Sequence, residues 1–259
     1  MIVGSIKENI NLEKRISVTP ETAKNIIALG LKINLEKNYA VHLGIKDKQY
    51  EEIGVKFYNS SAEVVNNSSL ILKVSCPSSE EIKILKEKTI LVGIFNPTKN
   101  QDKLKELLKK NINIFSLELL PRISRAQSMD VLSSQSNLAG YRAVIESIYE
   151  FEKAVPMMMT AAGTVPAAKV LVVGAGVAGL QAIATAKRLG AIVSATDVRA
   201  ASKEQVESLG GKFLTVEQEE NLETAGGYAK EASEEFKKKQ ADLLKEAMIK
   251  NDIVICTAL

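Results

Sequence analysis

A chain of 259 residues, 46% hydrophobic and 25% charged, has room for two domains with separate cores. Its 34 basic and 31 acidic side chains leave a formal charge of +3, too mild and too scattered for a nucleic-acid face. The one basic run, Lys237-Lys238-Lys239, follows Glu234-Glu235 at helical spacing and reads as a solvated, salt-bridged helix face.

In chain order, residues 3–6 form a first strand, entered without the basic and apolar regions of a signal peptide. Thr19-Pro20-Glu21 starts a helix, with Thr19 as cap and Pro20 in the first turn, and Gly30 stops it. Residues 32–36 alternate as a strand, 48–53 make a short helix and 55–58 another strand. Apolar strands at 69–74 and 89–95 are separated by a helix after Pro77; an amphipathic helix at 100–110 and a strand at 112–117 follow. This βα alternation predicts a parallel sheet covered on both faces, a Rossmann-like domain over residues 1–135. It carries no glycine fingerprint, so it is not expected to bind a nucleotide by itself. His42, the only histidine, reads as a surface or packing residue, and Cys76 and Cys256 as reduced packing residues without C-x-x-C spacing.

Residues 119–135 are polar and serine-rich and follow neither period. A helix is predicted from about 136 to 153, with Tyr141, Ile145, Ile148 and Phe151 as its buried stripe. Residues 155–166, with Met157, Met158 and Met159 as packing residues, complete a connecting segment of 136–168. The uncharged stretches 154–168 and 170–186 are interrupted by Lys169, prolines and glycine turns, so no bilayer span is expected.

The second domain, 169–259, opens on a strand at 169–173, then Gly174-Ala175-Gly176-Val177-Ala178-Gly179, an apolar-periodic run to Leu189, and a strand ending at Asp197. This is a G-x-G-x-x-G turn between a strand and a helix, with an acid 18 residues past the third glycine. One glycine permits the tight turn, the next lets backbone approach a pyrophosphate, and the third lets helix pack on sheet. The helix start offers N–H groups and a positive dipole end to phosphate. Asp197 can accept two hydrogen bonds from ribose hydroxyls, whereas a 2′-phosphate would bring like charges together, which favours NAD(H) over NADP(H). Arg199 tempers that preference, because an arginine near this acid can accommodate a 2′-phosphate. Beyond it, Ser202 and Gln205 suggest a capping box opening a helix that Gly210 ends. A third strand at 212–216, an acidic glycine-containing stretch at 217–228, a Glu- and Lys-rich helix and a fourth strand at 252–257 follow.

No nucleophile-base pair or metal-ligand cluster stands out in this order of residues. The reaction that needs neither is direct hydride transfer between two nicotinamides, for which protein need only hold reacting atoms about 3–3.5 Å apart.

Three long motifs sharpen this reading: residues 120–143, containing Pro121-Arg122-Ile123-Ser124-Arg125-Ala126-Gln127-Ser128-Met129-Asp130; residues 157–166; and Ala225-Gly226-Gly227-Tyr228-Ala229. They resemble the NAD(H)-binding component, domain I of the alpha subunit, of proton-translocating nicotinamide nucleotide transhydrogenases, and the likeness covers the whole chain. The resemblance implies hydride transfer from NADH, bound here, to NADP⁺ on a separate NADP(H)-binding component, coupled to proton movement through a membrane component. It also implies a homodimer and a cytoplasmic location, peripheral on the inner face of the cell membrane through partner subunits. It gives Arg122, Gln127 and Asp130 the carboxamide and ribose of NADH, with Ser133 and Tyr141 nearby. Gly174, Gly176, Val177, Gly179, Asp197, Val198 and Arg199 form the rest of the nucleotide site, Gly227 and Tyr228 a mobile loop, and Leu259 the carboxyl end of a strand. In the family the chain continues past Leu259, so the second Rossmann-like domain is expected to lack its C-terminal part.

An alanine dehydrogenase-like amino-acid dehydrogenase is the alternative enzyme, similar in architecture. Arg15 matches that family's substrate-carboxylate arginine, but Ser75 stands where its lysine is expected and residues 93–97 lack its histidine. A non-catalytic NAD-binding module is the alternative outside catalysis.

Overall fold

Short apolar strands alternating with helices build two parallel sheets. The computed structural model describes residues 1–121, 123–199, 201–216 and 234–258. The chain divides into two units, Met1–Val131 and Leu132–Leu259.

In the first unit β1 (Ile2–Ser5), β2 (Lys32–Glu36), β3 (Lys56–Tyr58), β4 (Leu70–Leu72), β5 (Ile90–Gly93) and β6 (Asn113–Ser116) are all parallel and lie in the order β3-β2-β1-β4-β5-β6. That order is the doubly wound one. The crossovers carry α1 (Pro20–Ala28), α2 (Asp47–Glu51), α3 (Ser61–Asn66), α4 (Ser79–Ile84) and α5 (Gln101–Lys109). Successive strand residues face opposite ways: Ile71 packs into a cluster with Val64, Val65, Leu91 and Leu107, whereas Leu72 packs against one with Ile33, Leu35 and Tyr50. Thr19 caps α1, its hydroxyl accepting from the Thr22 amide at 3.1 Å, as the sequence predicts. Helix α3 is one the sequence pattern does not predict. Its signal is Ser60 and Glu63: the Ser60 hydroxyl accepts from the Glu63 amide at 3.3 Å, and the Glu63 carboxylate accepts from the Asn59 amide at 3.0 Å.

The polar stretch that follows neither period is made of two 3₁₀ turns, Leu117–Leu119 and Ser124–Met129, followed directly by α6 (Val131–Phe151). Helix α6 therefore begins five residues earlier than the sequence pattern suggests. Its buried residues are Gly140 and Val144, not Tyr141, which is exposed. Val144, flanked by Ala143, Ile148 and Phe151, joins the core of the second unit. The connection after it contains a hairpin of β7 (Met158–Thr160) and β8 (Gly163–Val165). Met157, Met158 and Met159 on this hairpin are exposed rather than packed.

In the second unit β9 (Lys169–Val173), β10 (Ile192–Thr196), β11 (Lys212–Phe213) and β12 (Ile253–Cys256) are parallel in the order β11-β10-β9-β12. Counted from β9, this repeats the first four positions of the order in the first unit. Helix α7 (Val177–Arg188) lies against β9 and β10, α8 (Ser202–Ser208) against β11, and α9 (Glu234–Lys250) against β9. The capping box expected at Ser202 does not form: Ser202 is the first helical residue, buried, and Ala201 occupies the cap without a side-chain bond. Burial removes the hydroxyl from the position a cap requires. Cys256 is exposed and Cys76 half-buried, both free thiols. Among the described residues no helix is long and apolar enough to cross a membrane.

Candidate functional site

The strand order of the second unit reverses between β9 and β12, and open α/β sheets bind ligands in the crevice at the carboxyl ends of such strands. The glycine turn leaves β9 at this point. Gly174 has φ +94°, a left-handed conformation costly to a side chain, and a Cβ there would lie 2.7 Å from the Ala258 amide nitrogen. A Cβ on Gly176 would meet nothing within 4 Å, so this glycine leaves open space in front of the turn. A Cβ on Gly179 would lie 1.8 Å from the Gly174 carbonyl oxygen, so the third glycine exists to let α7 pack on the turn. Each glycine thus takes the separate role its spacing implies.

Gly176 is the N-cap of α7, and no side chain caps that helix or places an acid in its first turn. Val177, the first helical residue, is exposed. A strand, a glycine turn and an uncapped helix start together fit a phosphate group.

Asp197 follows β10 and is bound into the same turn. Its Oδ2 accepts from the Ala175 amide at 2.6 Å and its Oδ1 from the Arg199 amide at 2.9 Å. The Arg199 guanidinium completes a fork, Nε to Oδ1 and Nη2 to Oδ2, each at 2.9 Å. Burial alone would raise the Asp197 carboxyl, but the Arg199 guanidinium and the two backbone amides outweigh it and hold the carboxyl below its usual range. Val198, between the two, is half-buried.

Two residues missing from the sequence-level site buttress the turn. The Thr257 hydroxyl, just past β12, donates to the Gly174 carbonyl at 2.8 Å. On α6, Gly140 lies against the first turn of α7: a Cβ there would be 2.0 Å from the Ala178 carbonyl oxygen. One turn earlier, the Asn137 amide donates to Gln181 Oε1 at 3.1 Å. A lone threonine at a strand end is a weak signal, and a helical glycine gives no hydrophobic signal. Ser133 and Tyr141 stand on the same helix, Ser133 half-buried and Tyr141 exposed.

Gln127 and Asp130 belong to the first unit, on and just after the 3₁₀ turn Ser124–Met129, which the buried Ala126 anchors. Residues three apart in such a turn share a face, and Gln127 is exposed while Asp130 is half-buried. Arg122, Gly227, Tyr228 and Leu259 lie outside the described residues.

The corresponding strand reversal of the first unit, between β1 and β4, is occupied by that unit's own polar side chains. The Ser5 hydroxyl lies 2.8 Å from those of Ser17 and Tyr39, and buried Lys73 pairs with Glu81 at 2.6 Å and Glu8 at 3.4 Å. Arg15, the residue on which the dehydrogenase alternative rests, gives its guanidinium to Glu13, with Nε to Oε1 at 2.8 Å and Nη2 to Oε2 at 2.6 Å. His42 Nε2 lies 2.8 Å from the Lys14 carbonyl oxygen.

Comparison with known proteins matches these two units to two family models. The alanine dehydrogenase/PNT N-terminal domain matches residues 4–139 and the C-terminal domain residues 143–259. The first portion of the NAD(P) transhydrogenase alpha subunit of Rhodospirillum rubrum, a separate chain, is 51% identical over 266 residues, which cover 100% of this chain and 69% of the relative. Its counterpart in Rickettsia prowazekii is 48% identical, covering 100% of this chain and 68% of the relative. A solved transhydrogenase from Sinorhizobium meliloti superposes with a TM-score of 0.87 at 45% identity, covering 100% of this chain and 70% of that one.

Proposed function

The chain belongs to the alanine dehydrogenase/PNT family, beside the NAD(P) transhydrogenase alpha subunits, and from that premise we propose that it is the NAD(H)-binding part of a proton-translocating transhydrogenase. In this reading hydride passes directly from NADH held by this chain to NADP⁺ held by a separate NADP(H)-binding component. Proton movement belongs to a membrane component. The chain itself works at the inner face of the cell membrane through those partners.

The observation that carries the reading is the glycine turn at the strand reversal of the second unit with Asp197 bonded into it. The residues present fit a dinucleotide: open space at Gly176, an uncapped helix start, and a carboxylate kept ionised beside them. Gly174, Gly176, Gly179 and Val177 would hold the pyrophosphate, and Asp197 with Val198 and Arg199 the adenosine ribose. Gln127 and Asp130, with Arg122, Ser133 and Tyr141, keep the carboxamide and ribose of the nicotinamide side, and Gly227, Tyr228 and Leu259 remain part of the site on the resemblance. The bound cofactor supplies the hydride and its own electronics. The chain's residues bind and orient, and none is asked to move a proton at the reacting carbon. A homodimer is part of the proposal, supported by the exposed apolar strip of Met157, Met158, Met159 and Val165 on the β7–β8 hairpin.

The test mixes the chain with the NADP(H)-binding component of a transhydrogenase, NADH deuterated at the transferred position, and NADP⁺. The expected result is deuterium in the NADPH formed, without exchange into solvent. Demonstrated NADH binding with no transfer would move the chain to the non-catalytic module, and turnover of pyruvate with NADH alone would favour the amino-acid dehydrogenase.

A further inference from the structure

An ionised carboxylate offers about four lone-pair sites, and all four on Asp197 are used in this structure. Two go to backbone amides, Ala175 at 2.6 Å and Arg199 at 2.9 Å, which the turn itself fixes in place. The other two go to the Arg199 side chain, Nε and Nη2, each at 2.9 Å. The carboxylate is correspondingly covered, with its side chain 7% exposed against 25% for that of Arg199.

Resting on the reading that this unit binds NAD(H), we propose that the Arg199 guanidinium is an internal stand-in for the ribose diol. It occupies the two exchangeable sites of Asp197 and must be displaced when the nucleotide binds. The exchange is matched in kind. A guanidinium edge presents two parallel N–H donors and a 2′,3′-diol presents two neighbouring O–H donors, so two bonds to carboxylate are given up and two are made. The backbone bonds from Ala175 and Arg199 persist throughout and keep the carboxylate aimed.

Two consequences follow. Nucleotide affinity is reduced by the fraction of molecules in which Arg199 still holds Asp197. The displaced guanidinium then becomes a cation beside the ribose. A 2′-phosphate, repelled by Asp197, depends on that cation, whereas a free 2′-hydroxyl does not. Arg199 therefore weakens NADH binding and strengthens NADPH binding.

Calorimetric titration of Arg199→Met with each nucleotide tests this. NADH is expected to bind about 3–10-fold more tightly than to the unaltered protein, and NADPH more weakly. A variant that binds NADH more weakly, or with unchanged affinity, overturns the proposal, because Arg199 would then be a fixed support for Asp197. Absence of NADH binding to the unaltered protein would instead overturn the reading of the site. A second measurement needs no variant beyond an assignment control. The ¹⁵N–¹H signal of Arg199 Nε, identified by its loss in Arg199→Lys, should shift on addition of NADH. It should stay in place with the analogue lacking both adenosine ribose hydroxyls, and a signal unmoved by NADH overturns the exchange.

Discussion

Gly179→Ala is expected to reduce NADH affinity by at least about 100-fold, roughly 2.7 kcal/mol. The added Cβ would sit 1.8 Å from the Gly174 carbonyl oxygen, 2.8 Å from its carbon and 2.8 Å from the Thr257 hydroxyl. Two of these are backbone atoms, so no rotamer relieves the clash and the helix start must move off the turn. The Thr257 bond to the Gly174 carbonyl would move with it. Overpacking of this kind costs about 1–3 kcal/mol of stability, so the melting temperature should fall by several degrees. Calorimetric titration beside a thermal melt separates the two effects. NADH affinity within a factor of two of the unaltered protein would show that the turn does not carry the pyrophosphate.

Gly140→Ala is the second large effect, and it acts from a helix that contributes no residue to the glycine turn. Its Cβ would lie 2.0 Å from the Ala178 carbonyl oxygen and 3.0 Å from the Ala178 Cα, again backbone. Helix α6 would have to withdraw from the first turn of α7, losing the Asn137–Gln181 bond with it. The expected outcome is a loss of about 10–100-fold in NADH affinity. Titration with ADP provides the control: it uses the same phosphate-binding turn and should weaken in parallel. Weakened NADH with unchanged ADP would locate the defect away from α7.

The nucleotide turn was legible in the sequence because its chemistry is local. Strand, three glycines, helix and acid lie within one βαβ unit, and the two sheets followed from the same alternation. Other features depend on what meets what in space. The buried stripe of α6 was displaced by one residue because Gly140 has no side chain to announce burial, and only the Ala178 carbonyl against it explains why no larger residue stands there. Ser202 carries the letter of a capping box but is buried, whereas Ser60 and Glu63 carry the same letters and do cap α3. The fork of Arg199 on Asp197 joins residues two apart in sequence, yet its geometry is a matter of rotamer, which no spacing encodes. The roles of Gln127 and Asp130 rest on family resemblance, since a polar 3₁₀ turn has no chemistry of its own to single them out.

If the second unit holds NAD(H) and Asp197 chooses it, titration of NADH and NADPH into the unaltered protein and into Asp197→Asn is the most direct test. Asparagine keeps the shape of the side chain and an acceptor for the Ala175 amide, while removing the charge. The unaltered protein should show a clear preference for NADH. In the variant, NADH affinity should fall about tenfold, close to 1.4 kcal/mol, and the preference over NADPH should narrow. An unchanged preference in the variant, or tighter binding of NADPH than NADH by the unaltered protein, would contradict that assignment.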